Sequence, residues 1–198
     1  MELRMPTAQQ LRTVYARDLK ASFPAAELKP LSAIERLAEQ GRYRPWCLFD
    51  GEEIAGACFL WQGDRPGWEL LDYLCIAPAR RNGGLGALLL EKMREAEPNQ
   101  IIFAETETPE YAADPAMALR RQNFYRRCGA RFAGFQAEVF GVCYDLICWA
   151  DAPVEDAALL ARYDAVYRGS FPSDKYERYI RIPRDPGAKP MPQVPWNE

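Results

Sequence analysis

Leu71-Asp72-Tyr73-Leu74-Cys75-Ile76-Ala77-Pro78-Ala79-Arg80-Arg81-Asn82-Gly83-Gly84-Leu85-Gly86-Ala87-Leu88-Leu89-Leu90 is the stretch that decides the fold. It reads as a strand, a tight basic turn and a helix. Glycines at 83, 84 and 86 clear side chains from the point where unpaired N–H groups converge at a helix start. Those donors lie at the positive end of the helix dipole, beside Arg80 and Arg81, so the turn is suited to hold a pyrophosphate. Leu85, Leu88, Leu89 and Met93 recur on one helical face and anchor the turn to a core. The spacing is neither G-x-x-x-x-G-K-[ST] nor G-x-G-x-x-G, which argues against a mononucleotide P-loop or a dinucleotide site.

Outward from this unit, three strand-like runs precede it: Trp46 to Phe49, Ile54 to Trp61 and Trp68 to Ile76, with Asp50-Gly51-Glu52-Glu53 as a hairpin turn. Upstream are a short strand, Glu2 to Pro6, and helical patterns at Thr7 to Ala21 and Leu31 to Gln40, the second opened by Ser32 with Glu35. The turn-rich Ser22 to Pro30 between them reads as a connector or a lid, with Phe23 as an aromatic available to a substrate. Downstream the pattern is helix to Ala96, strand Ile101 to Thr106, helix Pro115 to Cys128, and strands Phe132 to Val139 and Val142 to Trp149. Consecutive strands followed by alternation predict a mixed α/β (α+β) sheet with helices packed on it. An amphipathic helix, Ala152 to Tyr167, opened by Asp151 and Pro153, looks appended. From Gly169 the chain is rich in proline and predicts an extended arm, free to lie on its own body or on a twin subunit in a homodimer. The division is 1–150 as the main domain, 151–169 as the helix and 170–198 as the arm.

Composition narrows the function. The 198 residues suffice for one domain with a full core, and 48% apolar with 27% charged residues is a globular balance. A net charge of −3 offers no basic field for nucleic acid, and no apolar run approaches the roughly 18 residues of a membrane span. The absence of histidine removes imidazole bases, Ser-His and Cys-His nucleophiles and His-ligated metal, so no metal cofactor is expected. Six cysteines without a C-x-x-C pair, and no signal-peptide pattern, predict reduced thiols in a cytoplasmic protein.

Ile76-Ala77-Pro78 followed by Arg81-x-x-Gly84-x-Gly86 and an apolar helix resembles the acyl-CoA signature of the GNAT-superfamily N-acetyltransferases. The resemblance implies a mostly antiparallel sheet of six to seven strands over residues 2–149, with acetyl-CoA as co-substrate. It implies a pyrophosphate loop on Arg81, Asn82, Gly83, Gly84, Leu85 and Gly86, and a fourth strand splayed from the fifth, whose backbone at Cys75 and Ile76 pairs with the pantetheine arm. Asn123-Phe124-Tyr125-Arg126-Arg127-Cys128-Gly129 resembles the family's second signature, whose Tyr points at the cofactor sulfur, here Tyr125. A phenol, with a pKa near ~10, keeps its proton until a thiolate of pKa near ~8.5 leaves. Two positions depart from the family: Gly129-Ala130 in place of Gly-Phe, and Ala118 where relatives often place an Asn against the pantetheine.

The acceptor's proton must go to a carboxylate. Glu105, near the end of its strand, is the leading choice; Glu107 shares its face, and Asp72 is the rival within the fourth strand. Acids at 72, 105 and 107 line a side suited to a cationic small-molecule or peptide amine. The alternative function is a non-catalytic acyl-CoA sensor or interaction module working through the arm.

Overall fold

The computed structural model describes residues 1–62 and 65–196. Strand β1 (Glu2–Arg4) leads into α1 (Ala8–Val14), which runs on through a π-helical turn (Tyr15–Leu19) into α2 (Lys20–Ser22). Thr7 and Gln10 form a reciprocal capping box at the start of α1. The second helix, α3 (Leu31–Glu39), begins after Pro30 with no side-chain cap. Ser32 is already inside it, so the predicted Ser32/Glu35 opening is replaced by a proline-led one. Strands β2 (Tyr43–Asp50), β3 (Glu53–Gln62) and β4 (Trp68–Ile76) form a meander, with Gly51 at φ +61° in the first turn. Then come α4 (Leu85–Ala96), β5 (Ile101–Glu107), α5 (Pro115–Arg127), β6 (Arg131–Val139) and β7 (Val142–Trp149). Asp114 caps α5 by accepting from the Met117 N–H, and Pro115 occupies its first position.

All strands join one sheet in the order β1-β2-β3-β4-β5-β7-β6-β8, and only β4 and β5 run parallel. The mixed, mostly antiparallel architecture is the one the sequence predicts, but the sheet has eight strands instead of six or seven. The additional one is β8 (Ile180–Arg181), two residues from the proline-rich segment that pair with Val139 and Glu138 at the edge of β6. A run so short carries no periodicity for a sequence reading to detect.

Both faces of the sheet are covered, which makes β3 buried almost throughout. On one face Ala57, Phe59, Trp61, Tyr73 and Phe103 pack with Leu11, Val14, Leu19 and Ile34 of the amino-terminal helices and with Leu159, Tyr163, Val166 and Tyr167. On the other, Cys58, Leu60, Leu71, Ile102 and Ala104 meet Leu89, Leu90 and Met93 of α4, flanked by Phe124 and Tyr125 of α5.

Beyond β7, helix α6 is shorter than predicted. It starts at Asp156 after Glu155 and runs to Arg168, leaving Ala152 to Val154 outside. The segment after it corrects the expectation of an extended arm. It forms a further helix, α7 (Ser173–Tyr179), adds β8, and returns across its own body. Glu138, fully buried on β6, accepts from Arg181 at 2.9 Å and from the Met191 N–H. At the end of the described chain Trp196 is only 8% exposed, packed among Trp61, Phe140, Tyr167 and Phe171, and its N–H donates to the Ala25 carbonyl at 3.1 Å.

The tail is therefore part of the core. Truncating a buried Trp to Ala typically costs about 3–5 kcal/mol. Trp196→Ala is expected to lower unfolding stability by about that amount in urea titration; a change below about 1 kcal/mol would mean that the tail detaches in solution.

Candidate functional site

The site begins with an interruption in the sheet. Strands β4 and β5 pair from Trp68↔Ile101 to Leu71↔Ala104 and then part, although β4 continues to Ile76 and β5 to Glu107. Residues Tyr73 to Ile76 keep their pairing with β3 on the far side, while Asp72 falls at a register shift between the Tyr73↔Phe59 and Leu71↔Leu60 pairs. The splay expected from the family resemblance is present, and Cys75 and Ile76 lie on its open edge. Asp72 and Glu105 are the first residues of the two strands beyond the parting.

At the end of β4 the chain turns through a single 3₁₀ turn (Pro78–Arg80) into the glycine-rich loop. Asn82 has φ +66° and Gly84 φ +78°, the left-handed conformation that opens α4 without a side-chain cap. Among the described residues, the amides from Arg81 to Gly86 donate to no protein acceptor. Gly86 is required for a different reason: a Cβ there would stand 3.2 Å from the Phe124 ring of α5, so the loop and the second signature are in direct contact. Arg120 of α5 donates to the Asn82 side chain at 3.0 Å, and Arg81 donates to the Ile76 carbonyl at 3.2 Å and the Ser22 hydroxyl at 3.0 Å. Arg80 is turned away, paired with Asp50 at 2.6 Å. A groove of about 620 Å³ between α4 and α5 continues from the loop, with Arg94 and Arg127 in its wall.

Tyr125 is half-buried, its ring 5.8 Å from Trp149 and 5.2 Å from Phe124. Its hydroxyl has no hydrogen-bond partner among the described residues, so it is not engaged by a backbone carbonyl. Burial pushes its pKa to about 12, against the opposing pull of the Arg121 charge. The phenol is therefore a proton-holding group at neutral pH.

The opposite face of the fork is charged. Glu105 takes the hydroxyls of Tyr163 and Tyr167 from α6 on its Oε1, the latter at 2.7 Å. Burial raises its pKa and the two tyrosine donors hold it back. Glu107 is paired with Arg121 of α5 at 2.6 Å. Asp72 has a partner that the sequence reading did not identify: Lys29 Nζ stands 2.7 Å and 2.9 Å from its oxygens, and the Tyr43 hydroxyl also donates to it. Lys29 is 2% exposed, with its ammonium 4.1 Å from the Trp61 ring centroid and 3.9 Å from that of Trp196. Phe23 lies edge-on to Tyr73 at 4.9 Å. The segment 22–30 is thus bound down across the fork rather than a loose connector. Its signals, one Lys and one Glu among prolines and alanines, are ordinary in a turn, and only contacts 43 residues distant in sequence distinguish them.

A parallel pair forked at midlength, an amide-lined loop at the fork and a tyrosine helix against that loop are the arrangement that the resemblance to the GNAT N-acetyltransferases implies. Residues 41–129 match the family model described as an acetyltransferase (GNAT) domain. The matched stretch holds strands β2 to β5, the glycine-rich loop and the tyrosine helix α5. Among solved structures, it is 24% identical to a protein from Bacteroides thetaiotaomicron described as a GNAT-family acetyltransferase, over 82% of this chain and 94% of that one, with a TM-score of 0.67. The ribosomal-protein-S18-alanine N-acetyltransferase of Escherichia coli is 14% identical, over 78% and 96%, at 0.56. The spermidine N-acetyltransferase of Vibrio cholerae, solved with CoA and spermine, is 14% identical, over 75% and 94%, at 0.57. At these identities the likeness is one of fold. No curated protein sequence matches the chain.

The Lys29–Asp72 pair gives a test with a definite sign. Removing one partner of a buried pair leaves an uncompensated charge, at a typical cost of about 3–5 kcal/mol. Burial already lowers the Lys29 pKa, with Asp72 opposing. In Asp72→Asn the depression deepens, so above the new folded pKa the unfolded chain binds the extra proton and stability rises with pH. The expected result is a loss of about 3 kcal/mol at pH 7 that shrinks by pH 9.5 in urea titrations. A loss independent of pH would show that the lysine charge is not its source.

Proposed function

We propose that the chain transfers an acetyl group from acetyl-CoA directly to a primary amine, with residues 1–150 as the transferase domain. The observation that carries this reading is the set of unengaged amides from Arg81 to Gly86, oriented by a helix start and preceded by the forked edge of β4. The residues fit the co-substrate. Backbone donors and the Arg81 side chain suit its diphosphate, and the edge of β4 left open by β5, to which Cys75 and Ile76 belong, suits an extended amide-bearing arm. When bound, acetyl-CoA supplies the thioester carbonyl that the amine attacks.

The chain's own residues then do three things. The loop and fork hold the thioester still, which converts a two-body reaction into an oriented one. Tyr125 gives its phenolic proton to the departing sulfur, consistent with its unpartnered hydroxyl and raised pKa. Glu105 and Glu107 supply negative potential at the far side of the fork, attracting an acceptor that arrives as a cation. Glu105, set at the start of the unpaired edge, is the carboxylate nearest the fork on β5. The acceptors in the names of related folds, spermidine and the S18 alanine, are both primary amines, which supports the acceptor class.

The direct test is Tyr125→Phe. Acetylation of an amine panel is expected to fall about 10²-fold or more in kcat, as for loss of a general acid, with CoA affinity by calorimetry unchanged. Turnover equal to wild type would remove Tyr125 from the mechanism, and CoA binding without turnover of any amine by the wild type would favour a sensor.

A further inference from the structure

The sequence assigns the acceptor's proton to Glu105, yet that carboxylate already takes two tyrosine hydroxyls on one oxygen. A different carboxylate spans the fork. The segment 22–30 is fastened to β4 on one side: the Tyr73 hydroxyl donates to the Glu27 carbonyl at 2.9 Å and accepts from the Lys29 N–H at 2.8 Å. Its Glu27 side chain points to the other side, towards Tyr144 of β7, which is the cross-strand partner of Glu107 on β5. Arg121, paired with Glu107, carries the charge felt by both Glu27 and Tyr125, and it precedes Tyr125 by one helical turn. Glu27 is half-buried.

We propose that Glu27, hung from the lid across the opening between β4 and β5, is the group that takes the ammonium proton of the acceptor, and that Glu105 positions that ammonium. This rests on the acetyltransferase reading above. The Glu27 carboxylate removes one proton from R–NH3⁺, the freed nitrogen lone pair forms the C–N bond, and the C–S bond breaks. The sulfur takes the phenolic proton of Tyr125, the second nitrogen proton restores that phenol, and Glu27 returns its proton to water, so each turnover releases one proton.

The surroundings suit the task. Burial and the like charges of Glu107 and Glu105 raise the Glu27 pKa to about 7, while Tyr144 and Arg121 oppose the rise. The other charged group of this lid, Lys29, is engaged with Asp72, and the Tyr73 hydroxyl of β4 is taken up by the lid backbone. A base with that pKa is ionised above about pH 7 and protonated below it, so turnover should rise with pH through neutrality.

The experiment compares pH profiles of kcat/KM for wild type, Glu27→Gln, Glu27→Asp and Glu105→Gln, using spermidine, kanamycin and an alanine-amino-terminal peptide as probes, with CoA affinity measured on each. Expected for Glu27→Gln is a loss of about 10²-fold or more and disappearance of the rise through pH 7, with CoA affinity retained. Glu27→Asp should keep the rise at reduced rate, and Glu105→Gln should lose rate while keeping the rise. A Glu27→Gln enzyme that retains the wild-type rise overturns the proposal and leaves the transferase reading standing. Failure of the wild type to acetylate any probe, or to take up CoA, overturns the transferase reading and this proposal with it.

Discussion

The structure depends on one constraint: two parallel strands in the middle of the sheet stop pairing halfway along. A sheet that opens at its centre leaves backbone donors and acceptors without partners, which a folded protein tolerates only where water or a ligand can reach them. Here the edge of β4 that β5 leaves open runs from Asp72 to Ile76 and leads, through the single turn Pro78–Arg80, into a loop whose amides are unengaged. Open edge and unengaged loop lie one turn apart in the chain, the arrangement on which the proposed binding of a long ligand with a diphosphate at one end rests.

Opening the sheet also creates a packing problem at the apex, and the chain fills it with charge. Asp72 and Glu105 begin the two diverging edges, and each is satisfied by groups from far along the sequence: Lys29 and Tyr43 for the first, Tyr163 and Tyr167 for the second. The lysine in turn rests between Trp61 and Trp196. The amino-terminal lid, the appended helix and the proline-rich tail all converge on this point, so segments outside residues 41–129 complete the apex of the fork.

How much of this was readable from sequence follows from the range of the forces involved. The loop, the helix behind it and Tyr125 are specified by neighbours within a few residues, through glycine conformations, a capped helix start and regular apolar spacing, and these features are where the sequence places them. The strands β2 to β7 were visible for the same reason. Lys29 and Glu27 were not, because their character comes from burial by residues tens of positions away: a lysine in a turn reads as solvated until Asp72 and two tryptophans surround it. A carboxylate inside an apolar strand needs either a partner or a task, and the partner of Asp72 lies in the turn-rich segment 22–30. The tail's prolines correctly excluded long elements and its aromatic residues pointed to an apolar surface beneath it, but a helix of two turns and a two-residue strand carry no local pattern.

Amide exchange across the glycine-rich loop tests the central claim most directly, because it reports on the donors themselves. Hydrogen–deuterium exchange of the full chain with and without saturating coenzyme A should show strong protection of the amides from Arg81 to Gly86, with weaker protection at Cys75 and Ile76. Binding of coenzyme A that leaves 81–86 exchanging as fast as in the free protein, or no binding at all, would contradict the account.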